Sequence, residues 1–426
     1  MLMTDTGGTK SFLIKGGKKL AGEISVQGSK NAATKLIAAT ILSSGPCELS
    51  NVPGIKDVEV MLEILEDMGA KVSVDGSLVR IDNSLLDVSR LPFPKISKLR
   101  SSVVLIGPLL ARFGEVNMPY PGGDKIGSRG LDTHFNAFLD LDCRMEIGEK
   151  SFSVKKPKST KSAYKVVLDE FSVTATENIL MYASSLPART EIYIAAEEPH
   201  IFNLISFLNK LGADISCPVS HRIIVNGTQN MRGVEHAIIA DYIEAGTFTV
   251  LSALAGRDIL IVNYPHEDLE LFTHKLKRAG VIMEFGRDSL RVMGADKINL
   301  PKIQTMIHPG IPTDLQSPIG VLATQSIGET LLHDPLYEKR LEYLKELQKM
   351  GADIEILDPH RAIVRGPVKL KGATIEGADI RGGMSLIIAG LIADGETILN
   401  NTYQVDRGYE KIEYRLNSLG AEIKRI

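Results

Sequence analysis

The 426-residue chain has no tryptophan, only 5% aromatic residues and three cysteines, Cys47, Cys143 and Cys217. Thiols so few and so far apart, with neither a CxxC pair nor His-rich spacing, exclude a disulfide-built fold and a zinc site. A reducing, cytoplasmic setting fits them best. No apolar run approaches the ~18 residues of a membrane span, and residues 1–8 lack the basic and apolar regions of an export signal. A cytoplasmic protein without a membrane partner is expected. An excess of one charge is missing too, since 49 basic against 52 acidic residues leave −3. Without a basic block, no nucleic-acid partner is expected, and any anionic ligand must be held by a local cluster.

What the chain does have is glycine, 38 residues of it, and aliphatic side chains within a 44% hydrophobic composition. At roughly 150 residues per domain the length suggests two or three domains. A repeat refines that arithmetic. A helix-like segment ends in a Gly-centred turn and runs into an alternating strand at Gly69, Gly212, Gly280, Gly351 and Gly420, with a degenerate copy at Asp142. Successive spacings of 73, 70, 68, 71 and 69 define a period of about 70 residues. A second marker keeps the same beat, an Ala/Leu/Ile-rich helix near residues 36, 104, 179, 250, 321 and 386. These first helices are apolar nearly all round and should be buried, whereas the second helices carry a polar face. Each helix is expected to stop at a left-handed glycine. Solenoid repeats run roughly 20–50 residues, so a 70-residue unit is better read as a subdomain. The expected fold is α/β (α+β), with two inside-out domains of three pseudo-symmetric units, helices buried and sheets outside. Residues 29–240 form an inserted domain of units one to three, and 1–28 with 241–426 a discontinuous domain of units four to six. Residues 11–27 read as a hairpin-like stretch completing the latter.

Polar residues at the starts of the buried helices stand out: Lys30-Asn31, Arg100, Ser172-Val173-Thr174, Glu244, Thr313-Asp314 and Asp379-x-Arg381. Ser, Thr, Asn and Asp there can be simple caps. A helix N-terminus also presents unpaired N–H groups and the positive dipole end, which suit phosphate and carboxylate, and Lys30, Arg100 and Arg381 reinforce that field. Residues 119–130, Pro-Tyr-Pro-Gly-Gly-Asp124-Lys-Ile-Gly-Ser-Arg129-Gly, read as a mobile loop able to close on a ligand, followed by Asp132 and His134. They do not follow the P-loop order. Two late clusters, Asp334 to Arg340 and Gln404 to Glu410, add arginines whose forked donors grip phosphate or carboxylate.

Taken in order, Lys30-Asn31-Ala-Ala, Pro-Gly-Gly-x-x-Ile-Gly-x-Arg129, Ser172-Val173-x-Ala-Thr-Glu-Asn, Glu244-x-Gly-Thr-Phe, His308-Pro-x-x-Pro-Thr-Asp314-x-Gln, Asp379-x-Arg381 and Asp406-Arg407-Gly-Tyr-Glu resemble the UDP-N-acetylglucosamine 1-carboxyvinyltransferases of the enolpyruvyl transferase superfamily. The match runs from about residue 11 to the C-terminus. The resemblance implies the six-unit inside-out fold and transfer of the enolpyruvyl group of phosphoenolpyruvate to the 3-hydroxyl of UDP-N-acetylglucosamine, the first committed step of peptidoglycan synthesis, without metal or other cofactor. It implies that Lys30, Arg129 and Arg407 hold the phosphate of phosphoenolpyruvate and Arg340 and Arg381 its carboxylate, with Arg100 supporting them. Asn31, Arg129, Asp132, His134, Ser172, Val173, Thr174, Asp314 and Leu336 would hold the nucleotide sugar, with Asp314 as base for its hydroxyl. Lys30 and Arg407 count among the catalytic groups.

Where much of the family has a loop Cys, this chain has Asp124, which is expected to act as the acid and to confer resistance to fosfomycin, an alkylator of that Cys. Glu197 and Tyr242 stand where the family has Arg, Lys339 where it has Asn, and Gln404 where a His is common. These departures keep another acceptor open, a nucleotide or shikimate 3-phosphate. The shikimate-type motifs around Lys30, Lys98 and Tyr337 are absent, and a silent nucleotide-sugar binder would not be expected to keep Lys30, Arg129, Asp314, Arg381 and Arg407.

Overall fold

The glycine beat of the sequence is a beat of left-handed turns. In the computed structural model, which describes residues 11–123 and 126–426, Gly69, Gly212, Gly280, Gly351 and Gly420 all have φ between 91° and 131°. Asp142, the degenerate copy, takes φ 58°, because a short polar side chain tolerates the left-handed region that most residues avoid. The first helices stop less uniformly. Gly114, Gly328 and Gly395 are left-handed, but Gly45 and Gly256 are not. The helix Tyr242–Ala255 runs straight into the strand Gly256–Val262 without a turn between them, and a Cβ on Gly256 would meet the carbonyl oxygen of Ser252.

The described chain divides into two compact units, one of residues 27–123 and 129–241, the other of 11–26, 126–128 and 242–426. In the first, the core helices are Lys30–Ala39, Ile106–Phe113 and Val173–Ser184. In the second they are Tyr242–Ala255, Gln316–Ala323 and Ile380–Ile392. All eight residues of Gln316–Ala323 are buried, and the three core helices of the second unit pack on one another. A buried Leu or Ile contributes ~1.5–3 kcal/mol, so the burial of these apolar cylinders is what fixes the helix-inside arrangement. Gly107 is one place where the fit demands glycine, since a Cβ there would stand 2.3 Å from the carbonyl oxygen of Asn178 on the adjoining helix. The outer helices, such as Lys56–Asp67 with Val58, Met61, Leu62 and Leu65 buried, press one apolar stripe against this core.

Five four-stranded sheets and one three-stranded sheet complete the α/β fold. Each four-stranded sheet follows one plan, an outer strand parallel to its neighbour and all the other pairings antiparallel. The plan is closed by distant segments. Glu235–Ala237 runs parallel to Cys47–Ser50, and Leu20–Ser25 runs parallel to Gly256–Val262. Phe12–Lys15 lies antiparallel between Glu396–Asn400 and Glu422–Arg425. The stretch 11–27 is therefore not a hairpin. Its two strands bury Phe12 and Ile14, and Leu20 and Ile24, in different sheets, because vacant positions in the ladders of units six and four satisfy their backbone groups and apolar faces.

Unit two departs from the plan. Its sheet holds only Glu115–Pro119, Ser151–Lys155 and Arg144–Ile147. Where a first strand would lie, the chain makes two short helical turns, Val88–Arg90 and Phe93–Ile96, around Pro92 and Pro94, since proline cannot donate to a ladder. Another recurring device closes three of the sheets. Asn51, Asn263 and Asn401 follow the second strand with φ of 56–59° and donate their amides to the carbonyls of Ile238, Val26 and Gly377. Among the described residues no helix is long and apolar enough to cross a membrane.

Candidate active site

In the second unit the chemistry gathers ahead of two core helices. Pro312 leads into the turn Thr313–Leu315, which presents Asp314 with its side chain about a quarter exposed (26%). Two arginines reach it from behind. Arg340 donates from Nη2 to Oδ1 at 2.7 Å, and Arg381 from Nε to Oδ2 at 3.3 Å. Both guanidiniums are buried (3% exposed), so their mutual placement is set by protein and not by solvent.

A second layer holds that geometry. Asp334, fully buried, accepts from the amides of Leu336 and Tyr337 and from the Thr313 hydroxyl at 2.6 Å. Thr313 Oγ1 in turn accepts from Arg340 Nε at 2.9 Å. Asp379 caps Ile380–Ile392 by accepting from the amides of Arg381 and Gly382, and its Oδ1 lies 3.8 Å from Arg340 Nη1. Burial works against the charge of Arg340, but Asp314, Asp379 and Asp334 outweigh it and hold the guanidinium above its usual range. Arg381 stacks 5.2 Å over the Tyr409 ring, which fixes its plane. Arg407 is buried, and its Nη1 donates to Gln404 Oε1 at 2.9 Å.

In the first unit Ser29 caps the helix Lys30–Ala39 through the Ala32 amide. The Lys30 amide donates to Asp241 Oδ2 at 3.1 Å, and its ammonium lies 3.6 Å from Asp57. Arg100 Nη2 donates to the carbonyl of Arg129 at 2.6 Å, tying the end of the loop back. The loop's start is pinned as well. A Cβ on Gly122 would collide with the Ser97 carbonyl, and Gly123, at φ 107°, packs against Arg100. Segment 126–128 bonds to residues of the second unit, with Lys339 N donating to the Ile126 carbonyl and Ser128 N to the Glu338 carboxylate. At the start of Val173–Ser184, Ser172 caps the Ala175 amide, and Thr174 lies 3.0 Å from Nε2 of the buried His134.

The model for EPSP synthase (3-phosphoshikimate 1-carboxyvinyltransferase) matches residues 14–416. The UDP-N-acetylglucosamine 1-carboxyvinyltransferase 1 of Carboxydothermus hydrogenoformans is 39% identical over 98% of both chains. That of Borreliella burgdorferi is 36% identical over 98% of this chain and 99% of its own. The chain belongs to the UDP-N-acetylglucosamine 1-carboxyvinyltransferase family. It is a transferase. Solved structures agree on the fold. The enolpyruvyl transferase NikO of Streptomyces tendae superposes with a TM-score of 0.88 at 22% identity, covering 98% of this chain and 99% of its own. The EPSP synthase of Acinetobacter baumannii gives 0.74 at 20%, covering 98% and 100%.

Of the residues singled out in the sequence, Asp314, Arg340 and Arg381 touch directly, as do Arg100 with Arg129 and His134 with Thr174. Asn31 lies in the first turn of its helix, Asp132 opens the helix Asp132–Asp140, Val173 opens Val173–Ser184, and Leu336 sits half-exposed on the Asp334 loop. Asp124 lies outside the described residues. Two family-motif acids turn out to be structural. Glu244 takes both Nη groups of Arg415 at 2.6 and 3.1 Å, and Asp406 grips Arg425 at 2.8 Å through each oxygen. Thr313 and Asp334 stand in the polar segments that the sequence singles out, but their role as the layer behind Arg340 is visible only in the structure. At the departures, Glu197 accepts from the His221 amide at 2.6 Å, and Gln404 orients Arg407.

One buried cluster has a measurable signature. Glu177, fully buried on the third core helix, lies 3.9 Å from Lys35 Nζ and 3.6 Å from His200 Nε2, and neither of its oxygens has a hydrogen-bond partner. Burial, opposed by Lys35 and aided by Glu198, raises its carboxyl to about 8. An unfolded Glu ionises near ~4.3, so between roughly pH 4.5 and 8 the folded state holds one more proton than the unfolded state. Stability should fall as pH rises through that window and level off above it. Glu177→Gln should flatten the decline, gaining on the parent by about a few kcal/mol between pH 5 and 8. Urea midpoints across that range check it, and an unchanged slope would assign the titration to another group.

Proposed function

We propose that the chain transfers the enolpyruvyl group of phosphoenolpyruvate to the 3-hydroxyl of UDP-N-acetylglucosamine, releases inorganic phosphate, and serves the first committed step of peptidoglycan synthesis. The observation that carries this reading is the Asp314 carboxylate, open to solvent on one side and gripped by two buried arginines on the other. In the proposal Arg340 and Arg381 take the substrate carboxylate, Lys30, Arg129 and Arg407 its phosphate, and Arg100 supports them. The nucleotide sugar is assigned to Asn31, Arg129, Asp132, His134, Ser172, Val173, Thr174 and Leu336.

A carboxylate paired with two arginines is a weak base. When the substrate carboxylate competes for the same guanidinium donors, the Asp314 oxygens are released and a second negative charge stands near them. Both effects raise the proton affinity of Asp314 as the sugar hydroxyl arrives. Asp314 then takes the hydroxyl proton, the oxygen bonds to C2 of the enolpyruvyl group, and a proton is added to the C3 methylene, giving a tetrahedral ketal. Loss of a proton from the new methyl group expels phosphate by breaking the C2–O bond, which restores the double bond. The cationic groups stabilise the oxocarbenium-like and phosphate charges that develop on the way. Asp124 is the proposed proton donor to the methylene.

A specific observation keeps a second acceptor in view. Glu197 and Tyr242 stand where the family resemblance leads one to expect arginines near the diphosphate, and Glu197 is engaged by the His221 amide. Phosphate release from phosphoenolpyruvate with UDP-N-acetylglucosamine, uridine monophosphate or shikimate 3-phosphate as acceptor decides between them. Turnover is expected with the first. Turnover only with one of the other two would overturn the assignment, and none with any would make the chain a silent binder.

A further inference from the structure

Asn178 is fully buried on Val173–Ser184, and two backbone groups fix which end of its amide is which. Its Oδ1 accepts from the Gly107 amide at 2.7 Å, and its Nδ2 donates to the Val103 carbonyl at 2.9 Å. An N–H cannot accept and a carbonyl cannot donate, so the amide cannot be flipped. The second hydrogen on Nδ2 meets His134 Nδ1 at 3.1 Å, which must therefore be an acceptor. Burial, with Arg100 adding to it, lowers the His134 imidazolium to about 3, so the ring is neutral at working pH. A neutral ring with an accepting Nδ1 carries its proton on Nε2. That N–H points at Thr174 Oγ1, 3.0 Å away, and Thr174 is the accepting partner. Its own hydrogen is left to donate elsewhere, from the partly exposed first turn of the helix.

We propose that Asn178 is a positioning residue for the acceptor: by fixing His134 as the Nε2–H tautomer, it makes the Thr174 hydroxyl a donor toward a phosphate of the nucleotide sugar. The inference rests on the functional reading above and goes beyond it, since Asn178 itself touches no substrate. A phosphate oxygen accepts hydrogen bonds and has no proton to give at neutral pH. With the opposite tautomer, Thr174 would donate to His134 and turn a lone pair toward the phosphate. Reversing one hydrogen bond to a charged group is a change of about tenfold or more in affinity.

The test combines spectroscopy with a double-mutant cycle. In 15N-histidine spectra of the whole enzyme, with the His134 signals assigned by their loss in His134→Gln, the wild type should show Nε2 protonated and Nδ1 bare. A bare Nε2 would overturn the proposal outright. Asn178→Asp offers an acceptor to Nδ1, and where its spectra show the proton moved to Nδ1 with Nε2 bare, KM for UDP-N-acetylglucosamine should rise by about tenfold while kcat and KM for phosphoenolpyruvate stay near wild type. Thr174→Val should raise the same KM by a similar factor. In the Thr174→Val background Asn178→Asp should add little, because both act through one hydroxyl. His134→Gln, whose amide can still donate to Thr174, should raise that KM by less than Thr174→Val does. Multiplying effects in the double mutant, or kcat falling together with every KM, would instead make Asn178 a packing residue. If Asn178→Asp fails to fold, the wild-type spectra and the Thr174→Val and His134→Gln kinetics still decide. A wild type that shows no turnover of UDP-N-acetylglucosamine sinks the functional reading, while the spectra continue to judge the tautomer.

Discussion

Asp314→Asn is expected to lower kcat by about 10³, within the 10²–10⁴ range for losing a general base, without raising KM for phosphoenolpyruvate. Asn keeps the shape and can still accept from Arg340 Nη2, so the turn Thr313–Leu315 and the Thr313–Asp334 bond have no reason to move. What it cannot do is take a proton from the sugar hydroxyl. The substitution also removes a negative charge from between Arg340 and Arg381, which leaves those guanidiniums freer for the substrate carboxylate, so KM for phosphoenolpyruvate should hold or fall. A purely structural Asp314 would give the reverse pattern, a lower unfolding midpoint and a modest change in kcat. Steady-state rates and thermal unfolding of one preparation separate the two. A kcat within about tenfold of wild type in a stably folded Asp314→Asn would remove Asp314 as the base.

The repeat was legible because it is made of local signals. Gly69, Gly212, Gly280, Gly351 and Gly420 each mark a place where the backbone must turn left-handed, and Asp142 is a short polar substitution that such a turn tolerates. The apolar helices were legible because burial on all sides leaves no polar face to write. The destinations of strands Phe12–Lys15 and Leu20–Ser25 were not, since a strand's own alternation says that it has a buried face and nothing about which ladder it joins. The missing strand of unit two could have been read from Pro92 and Pro94. At the site, the arginines and Asp314 came with roles from a motif, whereas the layer behind them did not show its role. Asp334, Thr313 and Asn178 act through short contacts between segments far apart in sequence. Glu244 and Asp406 show the converse, family-motif acids beside site residues whose partners, Arg415 and Arg425, make them structural.

Fosfomycin should leave the wild-type enzyme fully active under conditions that irreversibly inactivate Asp124→Cys. The drug acts by alkylation of a loop cysteine in much of the family, and a thiolate is a far stronger nucleophile toward carbon than a carboxylate. Position 124 is therefore expected to decide sensitivity without the rest of the site changing. Asp124→Cys should retain turnover, because a thiol can also deliver a proton to the methylene carbon, whereas Asp124→Ala should lose about 10²–10³ in kcat as a missing general acid. The two acids should differ in pH dependence. A carboxyl ordinarily ionises well below a thiol, near ~3.9 against ~8.5, so the wild-type rate should begin to fall at lower pH than the rate of Asp124→Cys, whose thiol stays protonated longer. Rapid, time-dependent inactivation of the wild type by fosfomycin would show that another nucleophile, Cys47, Cys143 or Cys217, is within its reach. Two of these, Cys47 and Cys143, are buried, where burial pushes the thiol up and away from the reactive thiolate, which leaves Cys217 as the residue to replace in a control. Resistance in the wild type and its loss in Asp124→Cys would together place position 124 at the reacting carbon, because only a thiol that reaches the bound drug in the right orientation is alkylated quickly.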